Sequence, residues 1–453
     1  MMLAIGLIVA AVITAYVGWK LVHGHHPQFM LLAAGLVFLL ISWALGNPLE
    51  VSESTGWRGF DLFNIIVRSM KSKLSGIGTM IMIIAGFVAY MDYMGATKAM
   101  VHAAMRPIGV LRGFPHFAAI MVLPLGQLLS LCVPSAAGLG LLMIASVHPI
   151  LLRIGISPLA SVSIITLCTC FDMGPASANT ARAADLLGMG NVTYFLGHQA
   201  PLAGGLTLVI MAVVFLQLRR TEPTHMHQPM KDEQAEKRPM YYALLPVLPL
   251  LLLMAFSSFF QNGPNAVVLD TSTAMLISLA FSMLLHWVSG AKGKEIELGL
   301  KACWQGMGKA FSQVVTLIIA ADLFAKGLIE LGLIEGLLLM LDGLGWGALG
   351  LLIIFVALIF VASILMGSGN ASFFAFAPLV SKVAASMSIP GIRLLLPMQL
   401  ASSMGRAASP ISGVIIATSG IAGVNPLDVA RRNALPMAIA LALMVITESF
   451  SLL

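Results

Sequence analysis

Met366 to Phe376 reads MGSGNASFFAF, and a weaker echo, VPSAAGLG, occupies Val133 to Gly140. Each is a run of small, hydroxyl and amide residues set between strongly apolar helical stretches. In hydrocarbon, glycine loosens the backbone, and the freed N–H and C=O groups need partners that lipid does not supply. Such a break persists where protein buries it or where it lines a wet cavity. Broken helices and hairpin tips meeting near the midplane, with helix ends facing an ion, are how many membrane carriers hold solutes. A small-residue seam for close helix packing would explain one such run equally well. Two runs in corresponding places of two halves favour a site.

The 453 residues are 59 % hydrophobic and only 10 % charged, which marks an all-α polytopic membrane protein whose constant partner is the lipid bilayer. The net charge of +6 lies in loops between apolar spans, so it argues for no nucleic-acid partner. Leu3 to Tyr16 is apolar, with no basic stretch before it and no small-residue cleavage site, and reads as the first span. Cys168 and Cys170 are two apart, the wrong spacing for a redox pair, and point to different helix faces. With Cys132 and Cys303 they read as structural.

Residues 2–22 and 29–46 form two spans, joined by a turn with Lys20, His23, His25 and His26. Within the connection 47–74, Asp61 to Lys73 is amphipathic and suits the membrane interface. A third span, 75–94, leads to a short amphipathic arm, Thr97 to Val110. The segments 115–133 and 138–152 flank a tip at Pro134 to Gly138, and the second is short for a crossing, so 115–152 is expected to be one re-entrant hairpin. The span 158–187 is interrupted by FDMGPASANT, Phe171 to Thr180, and 193–218 completes the first half.

A polar linker, 219–240, follows. The second half, 241–453, holds spans at 241–260, 271–289 and about 306–331, an arm-like Leu333 to Leu344, and a second hairpin, 346–386, with GSGN at its tip. The span 391–423 is broken at SSMGRAASP, Ser402 to Pro410, and 434–451 closes the chain. The first half, 1–218, and the second correspond: Phe87 answers Phe324, Gly95 answers Gly332, Ser135 answers Ser368, Met173-Gly174 answers Met404-Gly405, and Pro201 answers Pro436. Five spans plus one hairpin per half is an odd number of crossings, so the expected architecture is an inverted repeat with discontinuous helices.

Loop charge agrees with this topology. Lys20, Lys98, Arg106, Arg112, Arg153, the linker cations, Lys292, Lys294, Lys301, Arg431 and Arg432 fall on one side. Arg58, Arg68, Lys71, Lys73, Lys326, Lys382 and Arg393 fall on the other. The richer side is expected to be cytoplasmic, with both termini outside. The first hairpin then enters from the cytoplasm and the second from the far side.

Arg406, in the second break, is the leading functional residue. A cation at mid-depth is costly without a counter-charge or water, and a guanidinium grips a carboxylate bidentately. A permanent partner such as Asp172 would instead make it structural. Ser403, Ser409 and Ser412 on the same break, and Ser368, Asn370 and Ser372 at the tip, can add donors. The expected pocket comprises Ser135, Ala137 and Gly138 from one tip, Gly367, Ser368, Gly369 and Asn370 from the other, and Ser403, Arg406 and Ser409 from the break. Asp172, beside Gly174-Pro175, is a candidate proton or Na⁺ handler, or simply neutralises Arg406 or Arg182. Ser177, Asn179 and Thr180 continue its polar face. Arg182 with Asp185, and Asp322 with Lys326, have the spacing of local ion pairs along a helix.

Histidines 116, 148, 198 and 286 lie near span ends, and no spacing suggests a metal site. There is no P-loop, Gly-x-Ser-x-Gly or His-Glu-x-x-His pattern, so neither ATP-driven transport nor an enzyme is expected. No cofactor is implied beyond Na⁺ or H⁺ as a coupling ion.

MGSGNASFFAF, followed by SSMGRAASPISGVIIATSGIAGVNPLDVARRNALPM, resembles the DcuC-type family of bacterial C4-dicarboxylate transporters, on the side of its DcuD-like branch. SAAGLGLLMIASVHPIL, FVAYMDYMGA and YYALLPVLPL extend the resemblance over most of the chain. It implies an inner-membrane secondary carrier, with periplasmic termini, for succinate, fumarate, malate or aspartate in exchange, uptake or efflux mode. It also implies the plan of the wider ion-transporter superfamily, an elevator-type homodimer with scaffold and moving transport domains. Better-known dicarboxylate members of that superfamily carry Ser-Asn-Thr at both tips, whereas these tips read Ser135-Ala136-Ala137 and Ser368-Gly369-Asn370. The missing amide and hydroxyl at the first tip favour proton coupling or plain exchange over Na⁺ coupling. Another organic anion such as citrate or a monocarboxylate, a membrane-embedded enzyme, or a channel stand as alternatives.

Overall fold

The computed structural model describes residues 2–45, 54–106, 108, 113–221, 240–256, 267–333, 335–336, 339 and 347–452. Among these there is no strand, and eight helices are long and apolar enough to cross a bilayer, so the chain is a multi-pass membrane protein. The linker core at 222–239 and much of the arm expected at Leu333 to Leu344 lie outside the described residues.

The first part opens with α1 (Met2–Val22) and α2 (Pro27–Ala44). Amphipathic α3 (Arg58–Lys73) then runs through one π turn, Leu74–Gly78, into apolar α4 (Thr79–Tyr93). Gly76 in that turn (φ −108°, ψ −110°) kinks the axis between the two. α5 (Ala96–Met105) leads to α6 (Pro115–Cys132), α7 (Ala136–Ser146) and α8 (His148–Arg153). The broken span is α9 (Pro158–Leu167) and α10 (Ala178–Leu187). α11 (Asn191–Tyr194), a π turn Phe195–Gln199 and α12 (Ala200–Thr221) end this part.

The same order recurs from residue 240. A 3₁₀ segment, Met240–Val247, leads into α13 (Leu248–Ala255), followed by α14 (Thr271–Val288). α15 (Gly293–Ala310) passes through a π turn, Phe311–Val315, into α16 (Thr316–Glu330). α17 (Gly347–Met366) and α18 (Gly369–Ser386) meet at a tight turn. The second broken span is α19 (Ile392–Ala407) and α20 (Gly413–Ala422), and α21 (Pro426–Leu452) closes the chain. Backbone angles match across the two parts. Gly95 and Gly332 have φ of 80° and 82°, and Gly188 and Gly423, which end α10 and α20, have 63° and 66°.

Three helix pairs pack so closely that only glycine fits. A β-carbon on Gly35 of α2 would lie 2.7 Å from the Phe324 nitrogen of α16, and one on Gly306 of α15 would lie 2.7 Å from the Ala85 carbonyl oxygen of α4. At Gly405 of α19 it would lie 2.4 Å from the Phe360 carbonyl oxygen of α17. Lipid tails are as apolar as leucine, so dispersion at such seams rather than expulsion from water holds the helices together. Phe29, Leu208, Leu216 and Phe450 accordingly point outward.

The helices pack in two groups, called bodies below, that share one continuous apolar core. α2 packs on α16, α4 on α14 and α15, and α5 on the 3₁₀ segment. In the other body α17 and α18 pack on α19, α7 on α20, α10 on α18, and α12 on α6 and α21. The bodies meet where α16 lies on α18, with Phe324 edge-on to Phe376 at 6.2 Å between ring centroids, where α1 reaches α17, where α5 lies on α6 and α7, and where α10 passes the first π turn.

Several expectations are corrected. Ser402 to Ala407 is helical, so Ser403 and Arg406 stand on the last turns of α19 and the second break is only 408–412. Gly405 is there for close approach to α17, not to interrupt the helix. The first break runs from Cys168 to Ser177, which puts Asn179 and Thr180 in the first turn of α10. Ala137, Gly138, Gly369 and Asn370 likewise belong to the first turns of α7 and α18. Asp322 pairs across helices with Arg182 and Lys73 rather than along its own helix toward Lys326. An amphipathic helix from Gly293 precedes the third span of the second half, as α3 precedes α4, and Lys294, Glu295, Glu297 and Lys301 hid it.

Candidate functional site

Serine begins all four helices that start at a tip or a break. Ser135 (φ −140°, ψ 104°) caps α7 by accepting from the Gly138 N–H at 3.2 Å. Ser368 (φ −135°, ψ 111°) caps α18 by accepting from the Ala371 N–H at 3.3 Å. Ser177 caps α10 through the Thr180 N–H at 3.4 Å. Ser412 holds the same extended backbone before α20, but its buried hydroxyl has no hydrogen-bond partner among the described residues. A serine oxygen at this position satisfies one orphan N–H and leaves the other first-turn amides facing outward.

The first tip and the two broken spans line a small, partly open cavity. Ser130, Ser135, Thr169, Phe171, Asp172 and Arg406 are among its lining residues. Arg406 Nη2 donates to the Thr169 carbonyl in the first break. The Asp172 carboxylate accepts from Ser177 Oγ at 2.7 Å and interacts electrostatically with Arg406. A guanidinium and a carboxylate thus face one cavity, each with further hydrogen-bonding capacity.

Buried carboxamides brace both breaks. Gln199 and Gln399 each donate through Nε2 to the Asp172 carbonyl, at 3.4 and 3.2 Å, and Tyr194 Oη donates to Gln399 Oε1 at 2.6 Å. Thr180 Oγ1 donates to Gln199 Oε1 at 3.0 Å. Asn433 Nδ2 donates to the Ala407 carbonyl at 2.8 Å and to Thr166 Oγ1 at 3.0 Å, while Ser163 Oγ donates to Asn433 Oδ1 at 2.6 Å. Gly174, at φ 107°, needs no side chain in the left-handed region, and a β-carbon there would lie 2.9 Å from Leu131 beside the tip.

Of the expected pocket residues, the cavity unites Ser135, Asp172 and Arg406, and Ser177 joins through Asp172. The second tip lies elsewhere. A β-carbon on Gly367 would meet the Ile411 carbonyl oxygen at 2.7 Å and one on Gly369 the Ser402 carbonyl oxygen at 2.9 Å, so the tip sits on its own broken span. Ser409 Oγ donates to the Ile364 carbonyl at 2.6 Å. Asn370 is half-buried, and Ser403 and Asn179 are buried with side-chain polar atoms that find no hydrogen-bond partner among the described residues. Ala137 and Gly138 follow in the first turn of α7 and are not among the lining residues. Gln199, Gln399, Asn433, Ser130 and Thr169 were not singled out from sequence, although a carboxamide inside an apolar span is itself a signal. No group of three His, Cys, Asp or Glu residues able to hold a metal occurs among the described residues.

Known proteins share this architecture. The YdaH transporter of Alcanivorax borkumensis superposes with a TM-score of 0.56 at 15 % identity, covering 94 % of this chain and 99 % of that one. Neisseria gonorrhoeae MtrF, described with a class of antimetabolite efflux pumps, gives 0.62 at 13 % identity, covering 93 % and 95 %. In sequence, the "Probable anaerobic C4-dicarboxylate transporter DcuC" of Vibrio cholerae is 31 % identical over 446 residues, 97 % of this chain and 96 % of that protein. The anaerobic C4-dicarboxylate transporter DcuC of Escherichia coli K12 is 29 % identical over 451 residues, 98 % and 96 % of the two chains. Residues 1–449 match the family described as C4-dicarboxylate anaerobic carrier. These relatives are transporters, and an enzyme embedded in the membrane is set aside with them. The chain belongs to the DcuC family.

Proposed function

We propose that this protein is a secondary active carrier of C4-dicarboxylates such as succinate, fumarate, malate or aspartate in the bacterial inner membrane. One observation carries the proposal: a single small cavity, walled by both halves, in which Arg406 and Asp172 face the Ser135 tip. Arg406 takes one carboxylate of the solute as a fork, and the hydroxyl and first-turn amides of the Ser135 tip take the other. Asp172, held by Ser177, is the group that exchanges a proton or repels a bare second anion, with Asn179 and Thr180 behind it. Proton coupling or plain exchange fits the Ser-Ala-Ala tip better than Na⁺ coupling.

In this proposal the halves 1–218 and 241–453 are inverted repeats, and α6–α8 and α17–α18 are re-entrant hairpins. The body that holds them moves against the other as an elevator in a homodimer with periplasmic termini. The second tip, with Gly367, Ser368, Gly369 and Asn370, and the nearby Ser403 and Ser409 complete the pocket when the bodies rearrange. Counterflow tests the whole. Proteoliposomes preloaded with succinate should accumulate labelled succinate, and the dependence on pH and Na⁺ identifies the coupling ion. Arg406→Lys should weaken succinate binding at least about ten-fold, since a point charge lacks the fork. Unchanged affinity in that variant would remove Arg406 from the site, and no accumulation by folded wild-type protein would refute the substrate.

A further inference from the structure

Away from the cavity, four charged side chains close a ring between the two bodies. Arg182 and Asp185 stand one turn apart on α10, Lys73 ends α3, and Asp322 lies midway along α16. Arg182 Nη1 meets Asp185 Oδ2 at 3.0 Å, and its Nη2 meets Asp322 Oδ1. Lys73 Nζ reaches Asp322 Oδ2 at 3.1 Å and Asp185 Oδ2 at 3.6 Å. The Arg182 side chain is wholly buried, while those of Asp322, Lys73 and Asp185 are 18 %, 20 % and 39 % exposed. Each cation therefore touches both anions.

α3 packs on α16 and belongs to its body, so two of these contacts lie within a body and two cross between bodies. Stranding a buried charge is what makes broken ion pairs costly. Here separation breaks only Arg182–Asp322 and Lys73–Asp185. Arg182 leaves with Asp185, and Lys73 stays with Asp322, so each body keeps a neutral pair.

We propose that this ring is an ionic latch, holding the two bodies in the arrangement seen and releasing them without stranding a charge. The latch rests on the carrier proposal, in which the body containing α10 moves. It sets the rate at which the bodies rearrange and makes no contact with the solute, because none of the four side chains lines the cavity.

Two variants should move in opposite directions. In Asp185→Asn, Asp322 still faces both cations in the latched arrangement, but the released body carries Arg182 alone. Its succinate counterflow should slow at least about ten-fold. In the double variant Lys73→Gln, Asp322→Asn the cross contacts vanish while Arg182–Asp185 persists in either arrangement, so counterflow should quicken several-fold. Succinate affinity, read by thermal-shift titration, should stay unchanged in both. Slowing of both variants by similar factors, or no change in either, would overturn the latch. Hydrogen exchange reads it without any solute: peptides covering α10 and the Leu74–Gly78 turn should exchange faster in the double variant and no faster in Asp185→Asn. The reverse order also overturns the latch. Wild-type protein that gives no counterflow but shows the expected hydrogen-exchange order would refute the dicarboxylate proposal and leave the latch standing.

Discussion

Asn433→Ala removes the side chain that ties α9, α19 and α21 together. Asn433 is fully buried and makes three hydrogen bonds, of 2.6, 2.8 and 3.0 Å, to Ser163, Ala407 and Thr166. Inter-helix hydrogen bonds in membrane proteins average about 0.6 kcal/mol and reach about 1.7, so three contribute about 2 kcal/mol. Ser163 and Thr166 can turn their hydroxyls to their own helix, but the Ala407 carbonyl at the end of α19 keeps no such choice, adding about 1–2 kcal/mol. A loss of about 3–4 kcal/mol should lower the thermal midpoint in detergent by about 3–4 °C, at roughly 1 °C per kcal/mol for a chain of this size. Asn433→Asp is the sharper comparison. It preserves the acceptor for Ser163 but sets a carboxylate oxygen against the Ala407 carbonyl, and should be less stable than Asn433→Ala. A midpoint within about 1 °C of wild type for the alanine variant, or a milder loss for aspartate than for alanine, would refute this account of the break.

Gly405→Ala places a methyl group 2.4 Å from the Phe360 carbonyl oxygen, and overpacking of this kind should cost about 1–3 kcal/mol and pull Arg406 off the cavity. Its thermal midpoint and its succinate affinity should therefore fall together, and a variant that loses neither would show that α17 and α19 can part freely. Ser135→Ala removes an exposed cap worth about 0.5–2 kcal/mol of helix stability, so unfolding should change little while apparent succinate affinity weakens. A Ser135→Ala carrier with wild-type affinity would take the first tip out of the solute's contacts.

The hydroxyl-rich tips and the two broken spans were legible because each contradicts what lipid demands of a helix. Two kinds of feature were not. Glycine is ambiguous: at Gly174 it permits a positive φ in a true break, whereas at Gly405 it permits contact with α17 inside a continuous helix. Sequence alone carries no record of which neighbour approaches. Partnerships between distant elements were equally hidden. The four-residue spacing of Asp322 and Lys326 suggested a local pair, yet α10 and α3 bring Arg182 and Lys73 against Asp322. Gln199, Gln399 and Asn433 lie outside the breaks in sequence, and only the fold sets them on the carbonyls of the breaks. The four charges near the start of α15 lowered its hydropathy and concealed that it repeats α3.

The carboxamide braces bear on how a polar site could cross a bilayer. An interrupted helix normally borrows water to satisfy its loose carbonyls, and that water would have to travel with the site or be stripped from it. Here the Asp172 carbonyl is satisfied by two glutamines and the Ala407 carbonyl by an asparagine, all from neighbouring helices. The hydration balance of these two carbonyls is therefore the same at any depth in the membrane. In the proposed carrier, what varies is confined to the cavity, where the guanidinium of Arg406 and the carboxylate of Asp172 would exchange water for solute.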